Sequence, residues 1–389
     1  MLKKSEKINH RRLFRKYRNE NTIAAIRSSI ETVGKMFVLP PLIERIINSD
    51  RLSTYEIDEL NMHADEVHLL QRYSSSWDQT PEIPFIAVFS DGYVVPQHGL
   101  IFGKQKSVVN PITHPREGAS GVLIDRIARM LVRDPTLFCS TIRTNSQLWE
   151  DASHLDTAVP LFPYYINYYH WLVETLPKVR YARYYEDETE EEVDFLVPPD
   201  GPGWMIETLE LLGVPDDKIV HPTERIYQVD NLIVPSWVAH SADDYNWLKE
   251  TMLKRSSPED TEGTRILISR EDATDRHMTN RSDVVDLLED YGFEKYVLSE
   301  LSVEESIHLF NRADIIVGAH GAGFADIIFS EDATVIELYG SRLTSDYRNI
   351  SRRLGLEYRK IECEPVYGDI RVDIDELEQN IIEVISHSP

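Results

Sequence analysis

The chain has 389 residues, 42% of them hydrophobic and 10% aromatic, which is enough for two domains of ordinary size. Its formal net charge of −25 at pH 7 argues against a surface that wraps nucleic acid, which needs basic groups to displace counterions. No run reaches the roughly 18 apolar residues of a membrane span and no charged-apolar-small leader opens the sequence, so a soluble, cytoplasmic protein is expected.

Cys139 and Cys363 are the two cysteines, without metal-ligand spacing, which argues against a disulfide framework or a structural metal. Thirteen lysines stand against 28 arginines. That bias suits a high-salt cytoplasm as readily as it suits plain solubility.

Residues 1–20 carry eight basic and two acidic side chains. They read as a solvated terminus or as a peripheral contact with an anionic membrane. From about Asn21 to Arg72 the pattern is helical, so residues 1–80 form an expected helical extension. Short β-like runs follow at Phe85–Phe89, Tyr93–Val95 and Leu100–Phe102. Strand-like segments at Val159–Phe162, Phe195–Val197 and Leu232–Val234 then alternate with helical ones at Tyr168–Tyr185, Gly203–Leu212 and Asp243–Arg255. This alternation predicts an α/β domain over residues 81–256.

The acidic run Glu186–Asp194 reads as a solvated loop. Ser256–Thr264, polar and with Pro258 and Gly263, reads as a linker. Beyond it a second α/β domain, 263–389, is unusually legible. Arg265–Ile268 is a strand, Asn280 is placed to cap a helix from Arg281 to Tyr291, and Gly292 ends it. A strand near Tyr296–Leu298 precedes Ser302 and Glu305, which have the spacing of a capping box. The apolar strand Asp314–Val317, a glycine loop, a short helix from about Gly323 and the strand Val335–Leu338 complete a doubly wound pattern.

Three places carry chemistry. The loop Gly318–Phe324, "GAHGAGF", sits where a strand ends. Its glycines would permit positive φ and a close backbone approach, and the following helix would aim free N–H groups at an anion such as a diphosphate. His320 could donate to a phosphate, and Gly321, Ala322 and Gly323 would supply backbone. An ordinary tight turn with an incidental histidine fits the same pattern. Arg270, just past the first strand, and Arg281, opening the next helix, are candidates for bidentate phosphate binding or plain surface arginines. Glu337 interrupts an apolar strand and needs a partner, either a ribose diol or a neighbouring loop. In "NYYHWLVETLPK", His170 and Glu174 lie one helical turn apart, the spacing of a carboxylate-supported general base or of a locally satisfied histidine, and Pro177 bends or ends that helix.

The stretches "YYHWLVETLPK", "ILISREDATDRHMTNRSDVVDLLEDYGFE", "LSVEESIHLFNRADIIVGAHGAGFADIIFS" and "VIELYG" together resemble glycosyltransferase family 61, the capsular polysaccharide biosynthesis type, over roughly Tyr164–Gly340. The resemblance implies a GT-B architecture of two Rossmann-like domains facing a cleft, with a last helix, near Asp373–Ile385, crossing back to the first domain. It also implies inverting transfer from a nucleotide-sugar donor to a glycan, lipid-linked or protein acceptor. His170, supported by Glu174, would be the base. Arg270, Arg281, His320, the Gly321–Gly323 backbone and Glu337 would hold the donor, with no metal and no cofactor. Where the family has Leu-Thr-Asn after its HGAG stretch, this chain has Phe324-Ala325-Asp326, and a carboxylate there would repel a diphosphate or bind a base or ribose. Asp373-Ile374-Asp375 is expected to be a helix cap rather than a metal motif. A non-hydrolysing sugar-nucleotide epimerase and a non-catalytic polysaccharide-assembly protein are the competing readings. The lack of GxSxG sets aside an α/β-hydrolase.

Overall fold

The computed structural model describes residues 85–103, 119–142, 147–163, 165–236, 241–256, 264–340 and 344–387, together with short strand segments at 54–55, 66–69, 75–77, 80–82 and 108–109. It is a mixed α/β structure that divides into two compact units. One comprises residues 1–67, 87–157 and 223–234, and the other residues 68–86, 158–222 and 235–389. The basic residues 1–20 and most of the linker 256–264 lie outside the described residues. Of the stretch expected to be helical from Asn21 to Arg72, the described parts, Thr54–Tyr55 and Glu66–Leu69, are strands.

In the first unit the β-like runs around Phe85 and Tyr93 are a single strand, β1 (Phe85–Val95), antiparallel to β2 (Leu100–Phe102) with Tyr93 opposite Phe102. Val95, Leu100 and Phe102 pack with Ile127 and Met130 of helix α1 (Ala119–Arg133) and with Leu137 and Phe138 of α2 (Pro135–Ile142). Asp134 caps α2 by accepting the Leu137 N–H at 3.0 Å.

The second unit holds a five-stranded parallel sheet and the parallel end of a nine-stranded mixed sheet, in which the end of β3 (Ser153–Pro160) pairs with β4 (Asp194–Leu196) and β4 with β5 (Ile219–Val220). The helix expected over Tyr168–Tyr185 is two helices, α3 (Tyr168–Leu172) and α4 (Lys178–Thr189), with Pro177 at the N-cap of the second. Pro has no N–H to give the preceding turn, so it opens a helix where it cannot continue one. Asn167 caps α3 by accepting the Tyr169 N–H at 2.8 Å. Helix α5 (Gly203–Leu211) and, after β6 (Tyr227–Pro235), helix α6 (Ala242–Arg255) follow. Trp171 is fully buried and donates from its indole to Thr208 at 2.8 Å.

The five-stranded sheet is parallel throughout: β7 (Thr264–Ser269), β8 (Phe293–Val297), β9 (Ala313–Ala319), β10 (Thr334–Tyr339) and β11 (Glu357–Glu362). Their order is β8-β7-β9-β10-β11, the doubly wound arrangement with its switch point between β7 and β9. Leu267, Val317, Ile336 and Leu338 face α7 (Arg281–Asp290) and the terminal helix α10 (Ile374–His387). The opposite face carries Ile268, Gly318 and Glu337 in register. It is covered by α8 (Val303–Asn311), a 3-10 helix at Ala322–Phe329 and α9 (Asp346–Leu354). With helices on both faces, the strands read as continuous apolar runs.

The terminal helix lays Leu377, Ile381 and Val384 on this sheet, where a helix leaving for the other domain had been expected. Asp373 accepts the Glu376 N–H at 3.1 Å and is the cap foreseen for the D-x-D stretch. Ser302 and Glu305 form the expected capping box, and Gly292 ends α7 at φ +78°. Asn280 does something else. Its side chain makes no cap and exchanges two hydrogen bonds with the backbone of Val372, at 2.9 and 3.0 Å, fastening the start of α7 to the chain that leads into α10.

A third polar tie concerns Asp326, which is 2% exposed and therefore reaches no ligand, contrary to the sequence expectation. It accepts the Tyr168 hydroxyl at 2.7 Å and the Ser306 hydroxyl at 2.6 Å, joining α3, the 3-10 helix and α8. Burial pushes its pKa up to about 6 despite these two donors.

Two stability outcomes are expected. Asn280→Ala leaves two buried backbone groups of Val372 without partners and should cost about 2–4 kcal/mol, whereas Ser302→Ala at the capping box should cost about 1 kcal/mol. Urea midpoints would reverse this account if the capping-box variant proved the weaker. Because the folded-state pKa of Asp326 lies above that of the unfolded chain, its contribution is full below pH 3.8 and is lost as pH rises to about 6. Relative to Asp326→Asn, the wild-type chain should lose about 3 kcal/mol across that window. A pH-independent difference between the two would refute the assignment.

Candidate functional site

At the switch point the carboxyl ends of β7 and β9 release the segments that carry Arg270 and His320. The backbone at the glycine loop is extended and not left-handed, with Gly321 at φ −175°, so its glycines are not there for positive φ as expected. They are there for proximity. A Cβ on Gly321 would stand 1.6 Å from a guanidinium nitrogen of Arg270, one on Gly323 would stand 2.5 Å from Leu298, and one on Gly318 would press on Ile268 at 3.0 Å. The Arg270 guanidinium therefore packs against Gly321, beside a cavity of about 80 Å³ lined by Ile268, Ser269, Asp272, Leu298 and Phe324. That space suits a phosphate group.

Arg270 donates to the Asp275 carbonyl at 3.3 Å, while its buried Nε has no partner. Burial lowers its pKa from the usual guanidinium value, and repulsion from Arg276 lowers it further. Asp272, which also lines the cavity, and Asp275 oppose that lowering, and the partnerless Nε of Arg270 is the donor left for an anion. Arg276 was not singled out in the sequence. A signal existed, a third arginine between Arg270 and Arg281, but nothing local marks its left-handed φ of 64°.

His320 is 8% exposed and shares a short hydrogen bond from Nδ1 with Glu337. Glu337 accepts the Tyr358 hydroxyl on its other oxygen at 2.5 Å, so this buried carboxylate is partnered within the protein and orients His320. With Nδ1–H held by the carboxylate, Nε2 is the nitrogen left for a ligand. Tyr339 and Tyr347 flank the imidazole with centroids 5.2 Å away, and Tyr347 donates to the Gly321 carbonyl at 2.6 Å.

The second histidine is reached through the same tyrosine. Tyr169 meets Tyr347 edge to face at 5.7 Å, and His170 follows Tyr169 on α3. His170 Nδ1 lies 2.6 Å from Glu174 Oε2, as the spacing predicted, although α3 ends at Leu172 and turns carry Glu174. Burial raises the Glu174 pKa above the usual carboxylate range, the hydrogen bond and charge of His170 oppose the rise, and Asp346 adds to it. The carboxylate holds the proton on Nδ1 and makes Nε2 the basic nitrogen, the arrangement of a general base.

Arg281 does not join this cluster. It lies 3.6 Å from Glu271, which also pairs with Lys295 at 2.8 Å, and it lines a separate open cleft of about 490 Å³ with Met278, Ser282 and Asp286. Among the described residues, His154, Asp156 and Asp230 bring ligand atoms within 4.8 Å of one another and could hold a metal ion. They belong to the first unit.

The family described as Glycosyltransferase 61 matches residues 168–336. The chain is also similar to the EGF domain-specific O-linked N-acetylglucosamine transferase of Gallus gallus, 28% identical over 100 residues. That stretch is 24% of this chain and 19% of the relative, so the likeness spans about a fifth of the relative's length. Residues 168–336, which carry His170, Glu174, Arg270, Arg281 and the glycine loop, are a Glycosyltransferase 61 region, in agreement with the resemblance read from the sequence.

Proposed function

We propose that this chain is an inverting glycosyltransferase of GT-B type that moves a hexosyl or pentosyl unit from a nucleotide-sugar donor to the hydroxyl of a glycan, lipid-linked or protein acceptor, in surface polysaccharide or glycoconjugate synthesis. The observation that carries this reading is the Arg270 guanidinium laid against Gly321 beside a phosphate-sized cavity, its buried Nε without a partner. The family match and the named activity of the Gallus gallus relative give it a chemical class. The doubly wound five-stranded sheet and the parallel end of the mixed sheet, both flanked by helices, support the fold type.

The donor diphosphate lies against Arg270, Arg276 and the loop, and His320 Nε2 addresses the phosphate or the anomeric region. His170 Nε2 takes the proton from the acceptor hydroxyl as its oxygen bonds to the anomeric carbon. The bond from that carbon to the diphosphate breaks on the opposite face, and the electron pair leaves with the nucleoside diphosphate. The guanidiniums stabilise the charge that develops there, a role that a divalent ion fills in other transferases. The same reading places the protein in the cytoplasm, with residues 1–20 as a peripheral contact with an anionic membrane. Among the described residues no helix is long and apolar enough to cross one.

Thermal shift against UDP-, GDP-, CMP- and dTDP-sugars should show a selective rise in Tm, weakened at least about tenfold in apparent affinity by Arg270→Ala, the scale of a lost charge-assisted hydrogen bond. Gly321→Ala should fold, since its backbone is extended, yet displace Arg270 and weaken binding to the same degree. Conversion of donor without any acceptor would instead identify an epimerase.

Once a donor is found, Glu174→Gln should lower kcat by about 10²-fold or more with little change in donor affinity. In the wild-type enzyme the rate should rise with pH as Glu174 ionises, at a pH above the ordinary carboxylate range, because only the ionised carboxylate supports His170 as a base. EDTA should leave the rate unchanged; loss with EDTA and recovery with manganese would refute the metal-free mechanism.

A further inference from the structure

Large apolar side chains that face solvent are few among the described residues: Tyr165, Ile166, Tyr367 and Ile382. Two of them are consecutive, Tyr165 at 45% and Ile166 at 56% exposure, and they lead directly into α3. The Tyr165 ring stands 5.7 Å from the His170 imidazole, tilted by 54°. The backbone that presents it is anchored at both ends. Leu161 is fully buried before it, and after it Asn167, extended at φ −154° and ψ 142°, caps α3 while Tyr168 binds Asp326. An exposed aromatic held this firmly beside a base candidate is a docking surface in need of an occupant.

We propose that Tyr165, with Ile166, is the acceptor platform and that it takes the C–H face of a neutral pyranose ring; this rests on the reading of His170 as the base. The negative face of an aromatic ring attracts the weakly positive C–H groups of a sugar, and stacked rings sit with centroids about 4.5–7 Å apart. The Tyr165 and His170 rings are neighbours, with centroids 5.7 Å apart, so a pyranose lying on Tyr165 is close enough for an edge hydroxyl to reach the imidazole. The side chain of Ile166 widens the apolar surface. The acceptor is neutral because the Glu174 carboxylate lies against His170 at 2.6 Å and disfavours an anion arriving there.

The test applies the fluorescently labelled full chain to immobilised neutral oligosaccharides and, in parallel, to serine- and threonine-containing peptides. Binding of wild-type protein to a neutral glycan is expected, weakened about tenfold by Tyr165→Ala and within about twofold for Tyr165→Phe, which keeps the ring face. The nucleotide-sugar thermal shift should be unchanged in Tyr165→Ala, showing an intact fold and donor site. Absence of glycan binding, binding to peptides alone, or equal binding by Tyr165→Ala overturns the platform. His170→Ala should keep glycan binding and lose transfer. If it kept transfer while Tyr165→Ala lost binding, the base assignment would fail and the platform would stand.

Discussion

A carboxylate in the middle of a parallel sheet is costly unless both its oxygens are satisfied, and the candidate site around His320 is arranged by how Glu337 meets that requirement. Glu337 is 1% exposed on the inner strand β10, in register with Gly318 of β9, where Ile268 and Phe324 close over the missing side chain. His320 takes one oxygen and Tyr358 the other. The imidazole is thereby fixed in tautomer and direction at the end of β9. Tyr347, packed on that imidazole, bonds the Gly321 carbonyl and holds the loop in the extended path that admits Arg270. Remove the carboxylate and the ring, the loop and the guanidinium each lose the neighbour that places them.

The base candidate is tied to the same framework by a second buried carboxylate. Asp326 lies on the 3-10 helix that continues the glycine loop, and its two hydrogen bonds reach α3 and α8. A 3-10 helix apolar on all sides has no intrinsic reason to adopt one rotation, and such a polar tie supplies it. His170 on α3 and His320 beside the 3-10 helix are therefore placed relative to each other through Tyr168–Asp326 and through the Tyr169–Tyr347 edge contact. Burial keeps the phenols of Tyr168, Tyr169 and Tyr347 protonated well above their ordinary range, so each serves as a neutral donor or ring and not as an acid.

Local signals in the sequence sufficed where the physics is local. The capping box at Ser302 and Glu305, the cap at Asp373, the glycine end of α7 and the His170–Glu174 pair depend on residues three or four apart, and each is present. The strand periodicity of residues 264–340 was equally plain because both faces of the sheet are covered. What escaped depends on residues far apart in the chain. Asn280 looks like a cap until Val372, 92 residues on, offers a better pair of partners. Gly321 looks like a turn residue until Arg270 fills the space beside it. Arg281 opens a helix next to the site in sequence but faces another cleft, whereas Arg276, with no motif around it, comes near Arg270.

The overall charge sharpens what that arginine pair has to do. A chain of net charge −25 repels an anionic donor at long range, and at physiological salt that repulsion fades beyond about 8 Å. Capture must then come from short-range groups already in position. Arg270 has paid part of its desolvation on folding, and Arg276 raises the local potential at a cost that an anion relieves. In the proposed reaction a diphosphate entering there gives the buried Arg270 an anionic partner, so the binding energy is concentrated on the leaving group, where charge grows as the bond between the anomeric carbon and the diphosphate breaks.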